Sequence, residues 1–267
     1  MPAHKEPGMK LRIFQVDAFS SRTLEGNPAA VCPLESWLPD EMLKAIAAEN
    51  NLAETAYFVG HGGRYQLRWF TPQVEVDLCG HATLATSWVL FNELSVPEDL
   101  LQFSTRGGEL RVRRAVDQLA MDFPGTMPRP CTPPPALLPA LGIERAEVLE
   151  ARDYVVVVDS EAEIARLAPD FAALRECTKF GVSVTARGEA FDFVSRWFGP
   201  KVGVDEDIVT GAAHAWLAPY WASRLGKPIL TAQQGGVRKG QVGCEVVGDR
   251  VIISGHAATY MAGEIYV

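Results

Sequence analysis

One pattern occurs twice in this chain and limits its fold more than any other feature. Leu67-Arg68-Trp69-Phe70-Thr71-Pro72 returns as Ser195-Arg196-Trp197-Phe198-Gly199-Pro200, with the two tryptophans 128 residues apart in a chain of 267. Each copy reads as the end of a strand broken by a turn and proline. An acidic stretch follows in both places, Glu75 and Asp77 in the first and Asp205-Glu206-Asp207 in the second. Gly80 then opens a segment that is apolar nearly all round, and Gly211 opens a similar one running to Leu225. A helix without a polar face is a buried helix. Gly226 and Pro228 supply the second helix with a stop, and Pro219 inside it should kink it. Two halves built alike predict a pseudo-symmetric, two-domain α/β (α+β) protein. If the halves face each other, both helix N-termini point into the cleft between them. Free N–H groups and positive dipole ends make such a place suited to an anion.

Composition narrows the function classes. A hydrophobic fraction of 48% in 267 residues is enough for two cores. The net charge of −8, without a Lys/Arg cluster, argues against nucleic acid and anionic membrane as partners. Cysteines at 32, 79, 131, 177 and 244 are odd in number and lack CxxC spacing. They read as reduced thiols of a cytoplasmic protein. No apolar run reaches the roughly 18 residues of a membrane span. Met1–Lys10 is polar, without a signal-peptide core, and Met9 reads as an older start behind a short tail.

Along the chain, Leu11–Phe19 reads as a strand, Gly26-Asn27-Pro28 as a turn and Ala29–Cys32 as the returning strand. Pro39–Asn50 has the signals of a helix. Phe103–Val112 and Gln118–Phe123 pattern as a hairpin turning near Val116-Asp117. Seven prolines between Pro124 and Pro139 mark a linker, which places the domains at 1–125 and 126–267, the last strand crossing back. Tyr154–Val158 reads as a buried strand, and Ser160-x-x-Glu163 as a capping box opening a helix. Val246–Ile253 patterns as a hairpin over Gly248-Asp249, and Ala258–Val267 as a strand pair around Ala262-Gly263.

Chemistry is sparse. Gly235-Gly236 is not a phosphate loop, no GxSxG elbow occurs, and His81, His214 and His256 lack metal-ligand spacing. Glu54, His81 and Asp207, with Cys79 nearby, remain as candidates for a cleft without cofactor or metal. Carboxylate and imidazole beside anion-binding N–H groups suit proton abstraction next to a carboxylate or carbonyl. The plainer reading makes Glu54 a solvated loop carboxylate and His81 a helix cap.

Several blocks resemble the PhzF-like isomerases of phenazine biosynthesis: GNPAAV (26–31), NLAETAYF (51–58), WFTPQVEVDLCGHATLAT (69–86), WFGP (197–200) and EDIVTGAAH (206–214). The resemblance implies a fold similar to diaminopimelate epimerase, two pseudo-symmetric domains, each a curved sheet wrapped round a central helix. It also implies Glu54 as the group that carries a proton between two carbons, with His81 and Asp207 as helpers. Gly80, Thr210, Gly211 and Ala212 then line the substrate, a small-molecule carboxylate. No cofactor and a cytoplasmic homodimer are expected. Two positions depart from the family pattern. The serine after Thr-Gly is Ala212, and the proline after Glu-Asp is Ile208. Two rivals stay open: a two-cysteine racemase, because Cys79-Gly80-His81 is similar to the proline racemase motif, and an interaction protein that has kept the fold. The racemase needs a second thiol among Ile208–Gly211, where there is none.

Overall fold

The computed structural model describes residues 8–176 and 179–267. The polar start at 1–7 and Cys177 lie outside the described residues. Nine strands from Lys10–Ala18 to Arg129–Pro130 are followed by nine from Glu147–Glu150 to Ala257–Tyr266 among the described residues. The two sets repeat one pairing scheme. In each, the first strand is antiparallel to the second, the second parallel to the third, and the third antiparallel to the fourth. The fourth strands are Arg64–Phe70 and Phe193–Gly199, which carry the repeated Arg-Trp-Phe. Each is parallel to the strand that follows its central helix.

The halves are joined where Gln118–Pro124 pairs antiparallel with Arg250–Gly255. Their ends are exchanged. Arg129–Pro130 pairs with Glu147–Glu150, and Ala257–Tyr266 runs back along Lys10–Ala18. The strand pair expected around Ala262-Gly263 is therefore one strand. Gly263 sits opposite Ile13 within the ladder, and the irregularity is a bulge at Gln15/Val16. The hairpin expected to turn near Val116-Asp117 forms between Gly108–Ala115 and Gln118–Pro124, but its first arm, expected over Phe103–Val112, is corrected. Leu100–Thr105 and Gly108–Ala115 are separate strands folded back on each other, with Gly108 at φ 117°. The proline-rich stretch is not a bare linker, since it holds the short strand Arg129–Pro130 and the helix Leu137–Leu141. The Ser160 capping box forms, with the Ser160 hydroxyl accepting from the Glu163 N–H at 3.3 Å.

Each half wraps its sheet round a buried helix. Gly80–Trp88 is buried from Gly80 to Ser87, although it carries three hydroxyls. Thr83, Thr86 and Ser87 donate these to the carbonyls of Cys79, Ala82 and Thr83 at 2.6, 2.7 and 2.8 Å, so none of the three hydroxyls is stranded. The second helix starts later than expected. Gly211–Ala213 is a 3-10 turn, and the α-helix runs His214–Leu225. Pro219 lies inside it and has no N–H for the carbonyl of Ala215. The Thr126 N–H donates to that carbonyl at 2.9 Å, so the missing bond is made by the connecting segment.

The repeated arginines do the same work twice. Arg68 forms a two-pronged pair with Glu75 at 2.7 and 2.8 Å and lies over the Phe70 ring. Arg196 pairs with Glu206 at 2.8 and 2.7 Å and lies over Phe198. Each arginine fixes the acidic stretch that leads to its central helix, which is why the sequence repeat spans strand, acid and helix together.

Candidate active site

Glu54 opens the strand Glu54–His61, opposite Ala29 of Asn27–Pro33. His81 is the second residue of the Gly80 helix. Folding brings Oε2 of Glu54 to 3.1 Å from Nε2 of His81, with the side chains 13% and 3% exposed. The N–H and the oxygen are close but not aligned, so both atoms are buried with unfilled hydrogen-bonding capacity. Nδ1 of His81 faces the Cys79 sulfur at 3.6 Å. Burial works to lower the His81 imidazole, but the Cys79 sulfur and the Glu54 carboxylate outweigh it and hold it well above the ordinary histidine value. Burial pushes the Cys79 thiol up to about 11.

Asp207 comes from the other half. Its Oδ1 accepts from the side-chain amide of Asn27 at 2.6 Å and its Oδ2 from the Thr210 hydroxyl at 2.6 Å. Burial pushes its carboxyl up. His81 opposes this, Glu54 adds to it, and the Thr210 and Asn27 hydrogen bonds work to lower it. Asp207 and His81 thus feel each other electrostatically, while the hydrogen bonds of Asp207 go to Asn27 and Thr210. Thr210 is engaged on both sides, since its oxygen also accepts from Gln234 at 3.1 Å. His214, behind this loop, is driven down to about 4 by burial, and its Nδ1 lies 3.1 Å from the Thr210 carbonyl.

The two helix starts touch. A Cβ on Gly80 would stand 3.3 Å from the Cα of Gly211 and 3.5 Å from the nitrogen of Ala212. Glycine at both places lets the backbones approach this closely. Cys79 and Thr210, the residues before the two helical segments, make no side-chain cap. The junction itself is tight. Cavities of about 700 and 840 Å³ open elsewhere on the molecule, and neither reaches Glu54, His81 or Asp207. Among the described residues, Glu54, Cys79 and His81 are a trio that could meet a metal, their ligand atoms lying within 4.8 Å of one another. His81 turns one nitrogen to the carboxylate and the other to the sulfur, so one ion would be held by all three only if the ring rotated.

Asn27 is a site residue that sequence reasoning missed. It is fully buried, begins a strand, and donates to both Asp207 and the Val209 carbonyl. The signal available was Gly26-Asn27-Pro28, read only as turn chemistry.

A paired fold of this kind, with two buried helices meeting at their starts, is an epimerase-like α/β fold. The structure of a hydroxyproline epimerase from Agrobacterium vitis shares the fold at a TM-score of 0.58 and 11% identity, covering 97% of this chain and 93% of that one. The chain belongs to the phenazine biosynthesis-like (PhzC-PhzF) family, which it matches over residues 16–263. An uncharacterized isomerase of Pseudomonas aeruginosa is 64% identical over 97% of this chain and 100% of its own. The crystal structure of a PhzF-family protein from Enterococcus faecalis superimposes with a TM-score of 0.94 at 46% identity, covering 97% and 100% of the two chains. Family and relatives support an isomerase-type function.

Proposed function

We propose that this protein is a cofactor-independent isomerase that moves a proton between carbons of a small carboxylate-bearing substrate, at a site between domains 1–125 and 126–267. The observation that carries the reading is the pair of unfilled polar atoms, Glu54 Oε2 and His81 Nε2, buried together at an uncapped helix start. Glu54 removes a proton from a carbon beside the carboxylate or a carbonyl. The electron pair moves into the neighbouring π-system and forms an enolate-like species, which the Gly80 helix start and protonated His81 stabilise. Glu54 then returns the proton to a second carbon, so the overall change is a shift of one hydrogen and one double bond. Asp207, with Gly80, Thr210, Gly211 and Ala212, shapes the opposite wall. Product analysis by NMR tests the reading, with phenazine-pathway dihydro-hydroxyanthranilate as first probe and a panel of small unsaturated carboxylates beside it. A product with its double bond shifted and a hydrogen gained at the second carbon supports it, and no shifted product from any member of the panel overturns it. Reduced cysteines and the family resemblance support a cytoplasmic homodimer.

The cysteine mechanism makes a different demand. It requires a thiolate at Cys79, which burial disfavours, and a second thiol that the 208–211 stretch lacks. Cys79→Ser is expected to keep activity within about threefold, far less than the hundredfold scale of losing an acid–base group. A loss on that larger scale would revive the racemase.

Ala212 bears on the substrate. It sits partly exposed between buried Gly211 and Ala213, in the turn that meets Gly80. Where the family pattern has a hydroxyl, this site leaves a polar substrate group unpaired, a cost of about 1–3 kcal/mol. Ala212→Ser is expected to raise turnover of dihydro-hydroxyanthranilate about tenfold or more, and to do little for the protein's own, less polar substrate. Efficient turnover of that compound by the unaltered protein would end the argument.

A further inference from the structure

Asp17 is 1% exposed and holds its carboxylate at the seam between the halves. Its Oδ1 accepts from Nη2 of Arg238 at 2.6 Å and its Oδ2 from the Leu24 N–H at 2.7 Å. The same guanidinium donates from Nε to the Gly26 carbonyl at 2.6 Å and from Nη2 to the Glu25 carbonyl at 2.8 Å. Main-chain bonds run alongside, from the Gly26 N–H to Lys239 O and from the Gln241 N–H to Phe19 O, both 2.8 Å. Every group that Arg238 holds belongs to the first half of the chain.

What Arg238 grips is the peptide next to Asn27. The Gly26 carbonyl and the Asn27 N–H are one planar unit, so fixing the first sets the direction in which Asn27 leaves the loop. Gly26 itself has φ 65°, and a Cβ there would stand 2.2 Å from the Ala18 carbonyl, so the turn has one way to run. Asn27 then places its amide on Asp207 and Val209 across the seam. We propose that Arg238, braced by Asp17, is a positioning residue that acts on Asp207 through Asn27. The inference rests on Asp207 being part of the site. It extends the site outward to a side chain that is 29% exposed.

The test reads Asp207 directly, by ¹³C NMR titration of carboxyl-labelled aspartates with its signal assigned by loss in Asp207→Asn. Glu54 and His81 face Asp207 from the first half, and Thr210 from its own loop, so all three are kept unaltered. Losing the Asn27 donor weakens the ionised form and moves the midpoint upward. Arg238→Ala is expected to raise it by about one unit, a tenfold gain in proton affinity. Asn27→Ala is expected to do the same, and the double variant no more than Asn27→Ala alone. Arg238→Ala leaves a buried carboxylate unpaired and can unfold the chain for that reason, so Arg238→Gln/Asp17→Asn, which strands no charge, is measured beside it. A lower Tm in this pair with the Asp207 midpoint unmoved would make Arg238 merely structural and overturn the proposal. A shift that adds to that of Asn27→Ala would overturn the route through Asn27. No turnover is read, so a moved midpoint in a protein without isomerase activity counts against the proposed reaction and leaves this inference standing.

Discussion

Glu54→Gln is expected to remove isomerisation by a factor of at least about a hundred while leaving the fold and Tm nearly unchanged. Glutamine keeps the size of the side chain and an oxygen to set beside Nε2 of His81, 3.1 Å away in the unaltered protein. What it loses is the ability to take and return a proton, and acid–base groups of this kind contribute roughly 10²–10⁴-fold. The rate of formation of the shifted product reports the reaction, and circular dichroism with thermal melting reports the fold. A variant that retains more than about a tenth of that rate, fully folded, would take the proton-carrier role away from Glu54.

The second large effect concerns stability and contrasts the two repeated arginines. Arg196 is 9% exposed and, besides Glu206, donates to the carbonyls of Leu167 at 2.8 Å and Ile164 at 3.3 Å. Arg196→Ala leaves Glu206 and both carbonyls without these donors, a loss of about 3–5 kcal/mol on the scale of broken buried pairs. For a chain of this length the Tm falls on the order of 10 °C. Arg68 has a more exposed side chain, at 20%, and its partner Glu75 keeps a second cation in Arg106 at 2.9 Å. Arg68→Ala is expected to cost about 1 kcal/mol. Thermal melts of the two variants side by side settle the matter. Equal losses would mean that the partners of Arg196 beyond Glu206 contribute nothing.

The repeat of Arg-Trp-Phe was legible because one local design, strand to acidic stretch to buried helix, was used twice with the same side chains. Periodicity also sufficed for the Tyr154–Val157 strand and the Gly248-Asp249 turn. What stayed hidden depends on partners distant in sequence. Asn27 looks like a turn residue until Asp207, 180 positions away, is folded against it. Nothing local to Ala257–Tyr266 says that its partner is Lys10–Ala18, so Gly263 was read as a turn instead of a ladder position. The late start of the second helix has a similar cause. Thr210 donates its hydroxyl to Asp207 and accepts from Gln234, makes no side-chain cap, and the first residues form a 3-10 segment before His214.

The exchanged outer strands have a consequence for how the molecule comes into being. Lys10–Ala18 is made long before Ala257–Tyr266, yet they lie in one ladder, closed by the Val267 N–H on the Met9 carbonyl at 2.8 Å. During synthesis the first half can pair Lys10–Ala18 with Asn27–Pro33 early, but the opposite edge of that strand stays open until Ala257–Tyr266 has left the ribosome. Contacts of such long sequence separation form slowly, because the loop that joins them takes in both halves. This sheet is therefore completed late. The nascent chain passes through an interval in which an unpaired strand edge is exposed, and that is the stage at which a chaperone has something to hold.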